Sequence, residues 1–336
     1  MKIAVDAMGG DHAPEMVVRG ALEAASELGM DITLVGHRDA ISNELGENQE
    51  RASIGVHHCE EVVHMDEKPL KAIRRKKDSS ISVAFDLIKR GEVDAVVSAG
   101  NSGATLAAGI LKLGKVEGVE RPALAGIFPA EKSNVILIDV GANVDCRPVH
   151  LFQFGIMAHA FATSCLGMDD PKIGLLSIGE EGGKGNEQVR LAHDLFKASP
   201  LNFVGNVEGR DIFTGEIQII VCDGFVGNVA LKLSEGMAEA ITKMLKEEMM
   251  GSFAGKAGLL FGHGPFQRVR KKLDYEEYGG APILGINGIG IVCHGSSSAR
   301  AIKSAVRMAA SYVKKNIHER LTVQMAEFQT MMALAS

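Results

Sequence analysis

The sequence predicts an α/β protein with a mainly parallel central sheet that is covered by helices on both faces. Three observations indicate this class: short apolar segments alternate with longer segments of helical periodicity, most of the short segments are uninterrupted, and no linker divides the 336 residues. Uninterrupted apolar strands are typical of sheets buried on both faces. We therefore expect one three-layer α/β/α domain over residues 1–336, in which two lobes could share a cleft.

The individual elements follow from these two patterns. Runs rich in β-branched residues predict strands over residues 3–5, 32–35, 95–98, 123–128, 135–139, 173–177, 203–205, 217–222 and 289–293. Apolar residues three or four apart predict helices over residues 14–28, 80–89, 103–113, 148–166, 186–198, 228–246 and 297–315. Residues 249–285 break the alternation, and we expect them to form a helical excursion that protrudes from the core.

Composition and charge exclude several classes of protein. The chain has 36 Lys+Arg and 42 Asp+Glu, a formal charge of −6, which argues against a general nucleic-acid binder. Its five cysteines form no C-x-x-C pair, so neither a zinc ribbon nor a disulfide framework is expected, and a reducing cytoplasm fits best. The early Asp6 argues against a signal peptide, and no apolar run reaches the length of a spanning helix.

Glycine accounts for 39 residues and is concentrated, with Asn, Asp and Ser, directly after predicted strands. Such turns begin near residues 6, 98, 139, 177, 205 and 223. In an open parallel sheet, ligands bind at the carboxyl ends of the strands, so we expect these turns to meet along one edge and form one site. Glycine allows close approach of a ligand, and a following helix N-terminus favours an anion. The predicted ligand is phosphate or another oxyanion, although each turn alone is also explained as an ordinary turn or cap.

Other chemistries lack their sequence signatures. The first strand is not followed by G-x-G-x-x-G and no Walker A motif is present, which disfavours a nucleotide or NAD site. No G-x-S-x-G elbow is present, and Ser102 is better explained as a helix cap or phosphate donor. The histidines and cysteine between residues 57 and 64 lack a recognisable ligand spacing. We therefore predict no metal, no cofactor and a reaction without a covalent intermediate.

Two dense basic runs stand out in this acidic chain. Such runs are usually solvated helix faces, but they could also dock an acidic partner, since local potential steers encounter. The candidate docking residues are Arg74, Arg75 and Lys76 in the first run, and Arg268, Arg270, Lys271 and Lys272 in the second.

Taken in order, these motifs resemble those of the bacterial phosphate acyltransferase family PlsX. The resemblance covers residues 1 to about 315, and its motifs are specific as a set, although each alone is weak. Glu180, Glu181 and the two glycines that follow depart from the pattern in a variable part of their loop. The matching segments are DAMGGDHAP (6–14), RRKKDSS (74–80), SAGNSGA (98–104), DVGAN (139–143), KGNE (184–187), DGFVGN (223–228), YGGA (278–281) and HGSS (294–297).

The resemblance implies transfer of a fatty acyl group from acyl-[acyl carrier protein] to inorganic phosphate, which gives acyl phosphate for bacterial phospholipid synthesis. It also implies a fold like that of isocitrate and isopropylmalate dehydrogenases, a homodimer, and a cytoplasmic protein that associates peripherally with the membrane. Two other possibilities stay open: a phosphotransacetylase-like or NAD-dependent enzyme of the same fold, and a non-catalytic scaffold that binds carrier protein.

Phosphate itself is the expected nucleophile, so the enzyme must mainly position it and stabilise the thioester oxyanion. The expected catalytic residues are Lys184, as counter-charge to phosphate, with Asn186, Asn228 and His294 acting on the thioester. The expected phosphate-binding and acyl-binding residues are Asp6, Gly9, Gly10, Gly100, Asn101, Ser102, Gly103, Asn143, Asp223, Gly227 and Lys232. Residues 253–266 are candidates for an acyl groove, a membrane contact or dimer packing.

Overall fold

The structure is a computed structural model that describes residues 1–46, 53–252, 264, 277 and 279–335. Its strands are β1 Lys2–Asp6, β2 Asp31–Gly36, β3 Ile54–His58, β4 Ala95–Ser98, β5 Ala123–Phe128, β6 Val135–Ile138, β7 Ile173–Leu176, β8 Phe203–Val207, β9 Ile219–Val221, β10 Ala281–Leu284 and β11 Gly290–Val292. Its helices are α1 Glu15–Leu28, α2 Arg38–Leu45, α3 Pro69–Arg75, α4 Ser80–Lys89, α5 Ser102–Leu113, α6 Pro148–Phe161, α7 Glu187–Lys197, α8 Gly224–Gly251, α9 Ala299–Lys314 and α10 Ile317–Ala335.

The predicted fold class is confirmed, and each predicted strand and helix is present with small shifts at its ends. Strands β3 and β10 and helices α2, α3 and α10 were not predicted. The boundaries expected for the excursion are wrong at both ends, because α8 continues to Gly251 and β10 belongs to the sheet. Strand β10 was not predicted because it contains Pro282, and proline lacks the N–H group that a central strand uses for hydrogen bonding. Residues 253–263, 265–276 and 278, which include the second basic run, lie outside the described residues.

All the strands of the described residues join one eleven-stranded sheet in the order β3-β2-β1-β4-β11-β10-β5-β6-β9-β7-β8. The first five strands in this order, β3, β2, β1, β4 and β11, are parallel to one another, and so are the last four, β6, β9, β7 and β8. Between these groups the pairs β11–β10, β10–β5 and β5–β6 are antiparallel. Three reversals leave the two groups pointing in opposite directions.

The expectation that all the glycine turns share one edge is therefore wrong. Strands β1, β4 and β11 end at what we call edge A, and strands β6, β9, β7 and β8 end at the opposite edge, edge B. The turns after residues 6 and 98 lie at edge A. The turns after residues 138, 176, 207 and 221 lie at edge B.

Apolar side chains fill both faces of the sheet. Ile3 and Val5 pack with α1, α6 and α9 in one buried cluster, whereas the intervening Ala4 packs with α4 and α5 in the other. This alternation is the two-residue period of a strand covered on both sides. Within the described residues one helical segment, Pro148–Leu166, is long and apolar enough to cross a membrane, contrary to the expectation from sequence, and 67% of it is buried.

Close backbone packing at the start of α8 gives a testable consequence. A methyl group at Gly227 would lie 1.9 Å from the carbonyl oxygen of Asp139. We expect Gly227→Ala to lower the free energy of unfolding by about 3 kcal/mol, because the helix must shift away from the sheet. Gly209→Ala, at a position with open space, is the matched control and should change it by less than about 1 kcal/mol. Urea unfolding measures both, and equal effects would contradict the packing argument.

Candidate functional site

The three turns at edge A contact one another through glycine. A methyl group at Gly9 would lie 2.7 Å from the backbone nitrogen of Gly100, and one at Gly10 would lie 3.0 Å from the carbonyl oxygen of Gly295. The N–H of Asp11 donates to that same carbonyl at 2.8 Å. The turns after β1, β4 and β11 therefore form one continuous surface, which side chains at these positions would separate.

The buried Asp6 connects the turn after β1 to the turn after β4. Ser98 Oγ donates to Asp6 Oδ2 at 2.7 Å, and the N–H of Gly100 donates to Ser98 Oγ at 3.1 Å. The Asp6 side chain is buried, and the space it lines beneath Gly9 is too narrow for a water molecule. Burial raises the pKa of Asp6, and hydrogen bonds from Ser80 and Ser98 oppose that shift. Asp6 therefore supports the turns and does not face a ligand.

Helix α5 begins at edge A with donors that the fold leaves free. Asn101 caps the helix, since its Oδ1 accepts from the N–H of Ala104 at 3.0 Å. The Asn101 Nδ2 donates to the carbonyls of Met65 and Glu67, so its carboxamide is used within the fold. Within the described part of the chain, the N–H groups of Ser102 and Gly103 have no hydrogen-bond partner, and Ser102 is exposed. A helix start of this kind favours an anion.

His294 follows β11 and lies beside the same surface. Its Nδ1 accepts from the N–H of Ser296 at 3.3 Å, which assigns the proton of the neutral ring to Nε2. The exposed Nε2–H is therefore a hydrogen-bond donor. Burial raises the pKa of the preceding Cys293 to about 12, so this thiol stays protonated and is a poor nucleophile.

Helix α8 connects edge B to the surroundings of His294. It begins with Gly224 at edge B and is 28 residues long. Partial burial raises the pKa of Glu235, and nearby His294 and Lys232 oppose that shift. Asn228, Lys232 and Glu235 are spaced i, i+4 and i+7, so they share one face of the helix over about 10 Å.

At edge B, the turn after β6 is organised around a buried carboxylate. Asp139 Oδ1 and Oδ2 accept from the N–H groups of Leu124, Gly141, Ala142 and Asn143 and from Asn143 Nδ2, at 2.6 to 3.2 Å. Burial raises the pKa of Asp139, and these donors oppose that shift by stabilising the carboxylate. Asn143 Nδ2 also donates to the carbonyl of Pro122, so this carboxamide holds the turn and is not free for a ligand.

Three more predicted site residues lie at the start of α8. Asp223 and Gly227 have structural roles there, whereas Asn228 does not. Asp223 Oδ1 caps the helix by accepting from the N–H of Val226 at 2.9 Å, and Gly227 permits close packing on Asp139. Asn228 lies beside Gly141, and within the described residues its half-buried carboxamide has no hydrogen-bond partner. Asn228 is therefore the residue of this turn that a ligand can reach.

The turn that carries Lys184 also lies at edge B. The carbonyl of Glu181 accepts from the N–H of Lys184 at 2.9 Å and from Asn206 Nδ2 at 2.8 Å. Asn186 caps α7 through its Oδ1, and Lys184 is exposed without an ion pair in the described part of the chain. Ser177 Oγ and Asn206 Oδ1 are buried without a partner there. Neither residue was a predicted site residue; Ser177 directly follows β7, and Asn206 lies near the end of β8.

The first basic run is divided by the structure. Lys76 Nζ donates to the carbonyl of Val62 at 2.7 Å and to Glu67 Oε1 at 2.5 Å, and its side chain is 22% exposed. Lys76 is therefore held within the fold, unlike its neighbours. The exposed cations, which we call the α3 basic surface, have no ion pair in the described residues and are Lys68, Lys71, Arg74, Arg75 and Lys77.

Solved structures share this sheet and its helices. A phosphotransacetylase from Streptococcus pyogenes superimposes with a TM-score of 0.61 at 17% identity, covering 94% of each chain. A 4-hydroxythreonine-4-phosphate dehydrogenase from Klebsiella pneumoniae has a TM-score of 0.52 at 14% identity, covering 93% of this chain and 99% of that one. At these identities the likeness establishes the fold alone.

Sequence relatives define the class more closely. A protein named phosphate acyltransferase from Nitratidesulfovibrio vulgaris is 56% identical over 321 residues, 95% of this chain and 93% of that one. Another of that name from Geobacter sulfurreducens is 52% identical over 326 residues, 97% and 94%. These matches define an acyltransferase. The model of a family described as "Fatty acid synthesis protein" matches residues 1–320, and the chain belongs to this family, which confirms the resemblance to PlsX.

The buried Asp6 predicts a pH dependence of stability. Because its pKa is raised in the folded protein from the ordinary 3.8, the folded state binds this proton more tightly, and stability falls as pH rises through that interval. Asp6→Asn removes this titration. The unfolding free energy of wild type minus that of the variant should therefore decrease with rising pH and level off above the folded pKa. Urea unfolding from about pH 4 to pH 8 measures it; a difference that increases with pH would contradict the burial argument.

Proposed function

We propose that this chain transfers a fatty acyl group from the thioester of acyl-[acyl carrier protein] to inorganic phosphate. The products are acyl phosphate and free carrier protein, and the acyl phosphate supplies bacterial phospholipid synthesis. The family and the names of the relatives support acyl transfer to phosphate. The site rests on one observation: within the described residues, the N–H groups of Ser102 and Gly103 at the start of α5 have no partner, and they lie beside the exposed donor of His294.

In this proposal, phosphate binds at the start of α5. The N–H groups of Ser102 and Gly103 and the Ser102 hydroxyl donate to its oxygens, and the helix dipole favours its negative charge. The glycine contacts around Gly9 and Gly100 keep side chains away from this surface. The site therefore orients the nucleophile with donors fixed by the backbone, which lowers the entropic part of the barrier.

The reaction is a direct displacement. An oxygen of hydrogen phosphate attacks the thioester carbonyl carbon, the carbon–sulfur bond breaks, and the proton carried by phosphate ends on the released thiol. Its atoms and charges balance without an acid from the protein. His294 donates from Nε2 to the carbonyl oxygen as negative charge develops there, a role that suits its assigned tautomer better than proton donation to sulfur.

Edge B supplies a second group of free polar side chains. Asn228 and Lys232 lie on the face of α8 that leads to Glu235 and His294, and they are proposed to orient the thioester and its acyl group. Lys184 is proposed to compensate the negative charge of the substrates from the same edge. Asn186 keeps its Nδ2 donor after capping α7, so it is a further candidate.

The acidic carrier protein is proposed to dock on the α3 basic surface. Helix α3 packs directly on the start of α5, since a methyl group at Gly103 would lie 2.6 Å from Pro69 Cγ. A carrier protein bound through Arg74 and Arg75 would thus deliver its thioester close to the phosphate donors. Long-range attraction between opposite charges also speeds encounter.

A second copy of this chain is proposed to cover α8. Only Gly224 and Gly227 are buried in this helix, and its apolar residues three and four positions apart are 40 to 67% exposed. Such a stripe is typical of a helix that packs against a partner. The stripe consists of Val226, Val229, Leu233, Met237, Ile241 and Met244. A cytoplasmic location with peripheral membrane association is proposed on the family resemblance.

Release of thiol from acyl-[acyl carrier protein] tests the function. We expect release to require phosphate, with no nucleotide or metal added. Ser102→Asp places a negative charge at the start of α5 and should raise the phosphate KM by about tenfold or more. Asn186→Asp, which keeps the cap of α7, should raise it less.

Lys184→Ala should raise the phosphate KM less than Ser102→Asp in the same assay, because Lys184 lies at edge B and phosphate is proposed to bind at edge A. A phosphate KM that rises more in Asn186→Asp than in Ser102→Asp would contradict the proposed phosphate position and favour the start of α7. Thiol release that is independent of phosphate would reject the proposed function.

Charge reversal tests the docking surface. The double variant Arg74→Glu/Arg75→Glu should raise KM for the carrier-protein substrate by about fivefold or more at low salt, while KM for phosphate changes less. The matched control is Lys89→Glu/Arg90→Glu, an exposed basic pair at the end of α4. Equal effects of the two double variants, or equal effects on both substrates, would remove the docking argument.

A further inference from the structure

Residues 62–68, which we call the 62–68 segment, are fastened at two points. Asn101 Nδ2 donates to the carbonyls of Met65 at 3.0 Å and Glu67 at 3.1 Å. Lys76 Nζ donates to the carbonyl of Val62 at 2.7 Å and to Glu67 Oε1 at 2.5 Å. One anchor, Asn101, lies in the turn after β4, and the other, Lys76, directly follows α3. The segment is therefore a bridge between them.

The bridge also touches the His294 side of the surface. A methyl group at Gly295 would lie 3.0 Å from Met65 Cε, so Met65 reaches the turn after β11. Within the segment, the N–H of His64 donates to Glu67 Oε1 at 2.8 Å. The hydrogen bond from Lys76 lowers the pKa of Glu67, which keeps this carboxyl charged. The segment therefore contacts the turn after β4, the residue after α3 and the turn after β11.

Both anchors direct their polar groups into the fold. The two Nδ2 hydrogens of Asn101 face backbone carbonyls, and its Oδ1 accepts from Ala104. The Lys76 side chain is 22% exposed, against 65% for Lys132, which makes a similar ion pair with Glu216 at the surface. A partly buried pair with hydrogen bonds holds its geometry better than an exposed pair.

We infer that Asn101 and Lys76 are positioning residues that fix the α3 basic surface relative to the phosphate donors of α5. Through this spacing they set the preference for a thioester carried by a protein over a small thioester. The inference rests on the proposed function. Binding energy from a docked carrier protein can align its thioester only if the docking surface is rigid with respect to the site.

Kinetics with two thioesters test this inference. Asn101→Ser keeps a helix cap and removes the Nδ2 donors, whereas Lys76→Met keeps the chain length and removes the ammonium. At saturating phosphate, kcat/KM is measured for octanoyl-[acyl carrier protein] and for octanoyl-N-acetylcysteamine. We expect the ratio of the first to the second to fall about fivefold in each variant, as loss of one or two hydrogen bonds would give. Lys132→Met is the matched control and should keep the wild-type ratio.

The outcomes separate three cases. A lower ratio in both variants and a wild-type ratio in the control would support the positioning role. Equal losses for both thioesters, or no loss in either variant, would overturn it, because a merely structural role does not distinguish the substrates. A wild-type protein that releases thiol from neither substrate in the presence of phosphate would overturn the proposed function itself.

Discussion

The reversal of strand direction in the middle of the sheet is the constraint on which the other features depend. Three antiparallel pairings separate two parallel groups, so the polar turns of one chain divide between opposite edges. Each edge then has its own buried carboxylate and its own helix starts. Asp6 supports the turns of edge A, and Asp139 supports the turn after β6 at edge B. Helix α8 is the element that leads from one group to the surroundings of the other.

The proposed site at edge A depends on two features: glycines without side chains, and backbone N–H groups without partners in the described residues. Glycine at positions 9, 10 and 100 allows the backbones of three turns to meet. In the part of the chain that the structure describes, no side chain accepts from the first two N–H groups of α5. The buried thiols also stay protonated, since burial raises the pKa of Cys293 to about 12. A site of hydrogen-bond donors suits a reaction in which the substrate, phosphate, is itself the nucleophile and needs orientation more than activation.

The sequence predicts the strands and most of the helices because their apolar patterns are long and regular. It also contained a signal against a single edge: only residues 129–134 separate β5 from β6, too few for a parallel crossover connection. The inferred roles of Asn101 and Lys76 could not be predicted, since their partners depend on tertiary contacts up to 36 residues away in the chain. Polar residue types indicate where a site lies, but hydrogen-bond partners decide which of them are free.

The most direct test is where phosphate binds. Titration of the isotopically labelled protein with inorganic phosphate, followed by amide NMR, reports on both helix starts in one experiment. We expect the amide signals of Ser102 and Gly103 to shift in a saturable manner, with smaller changes at Glu187 and Gln188 at the start of α7. Saturable shifts confined to α7, with the amides of α5 unchanged, would contradict the proposed phosphate position.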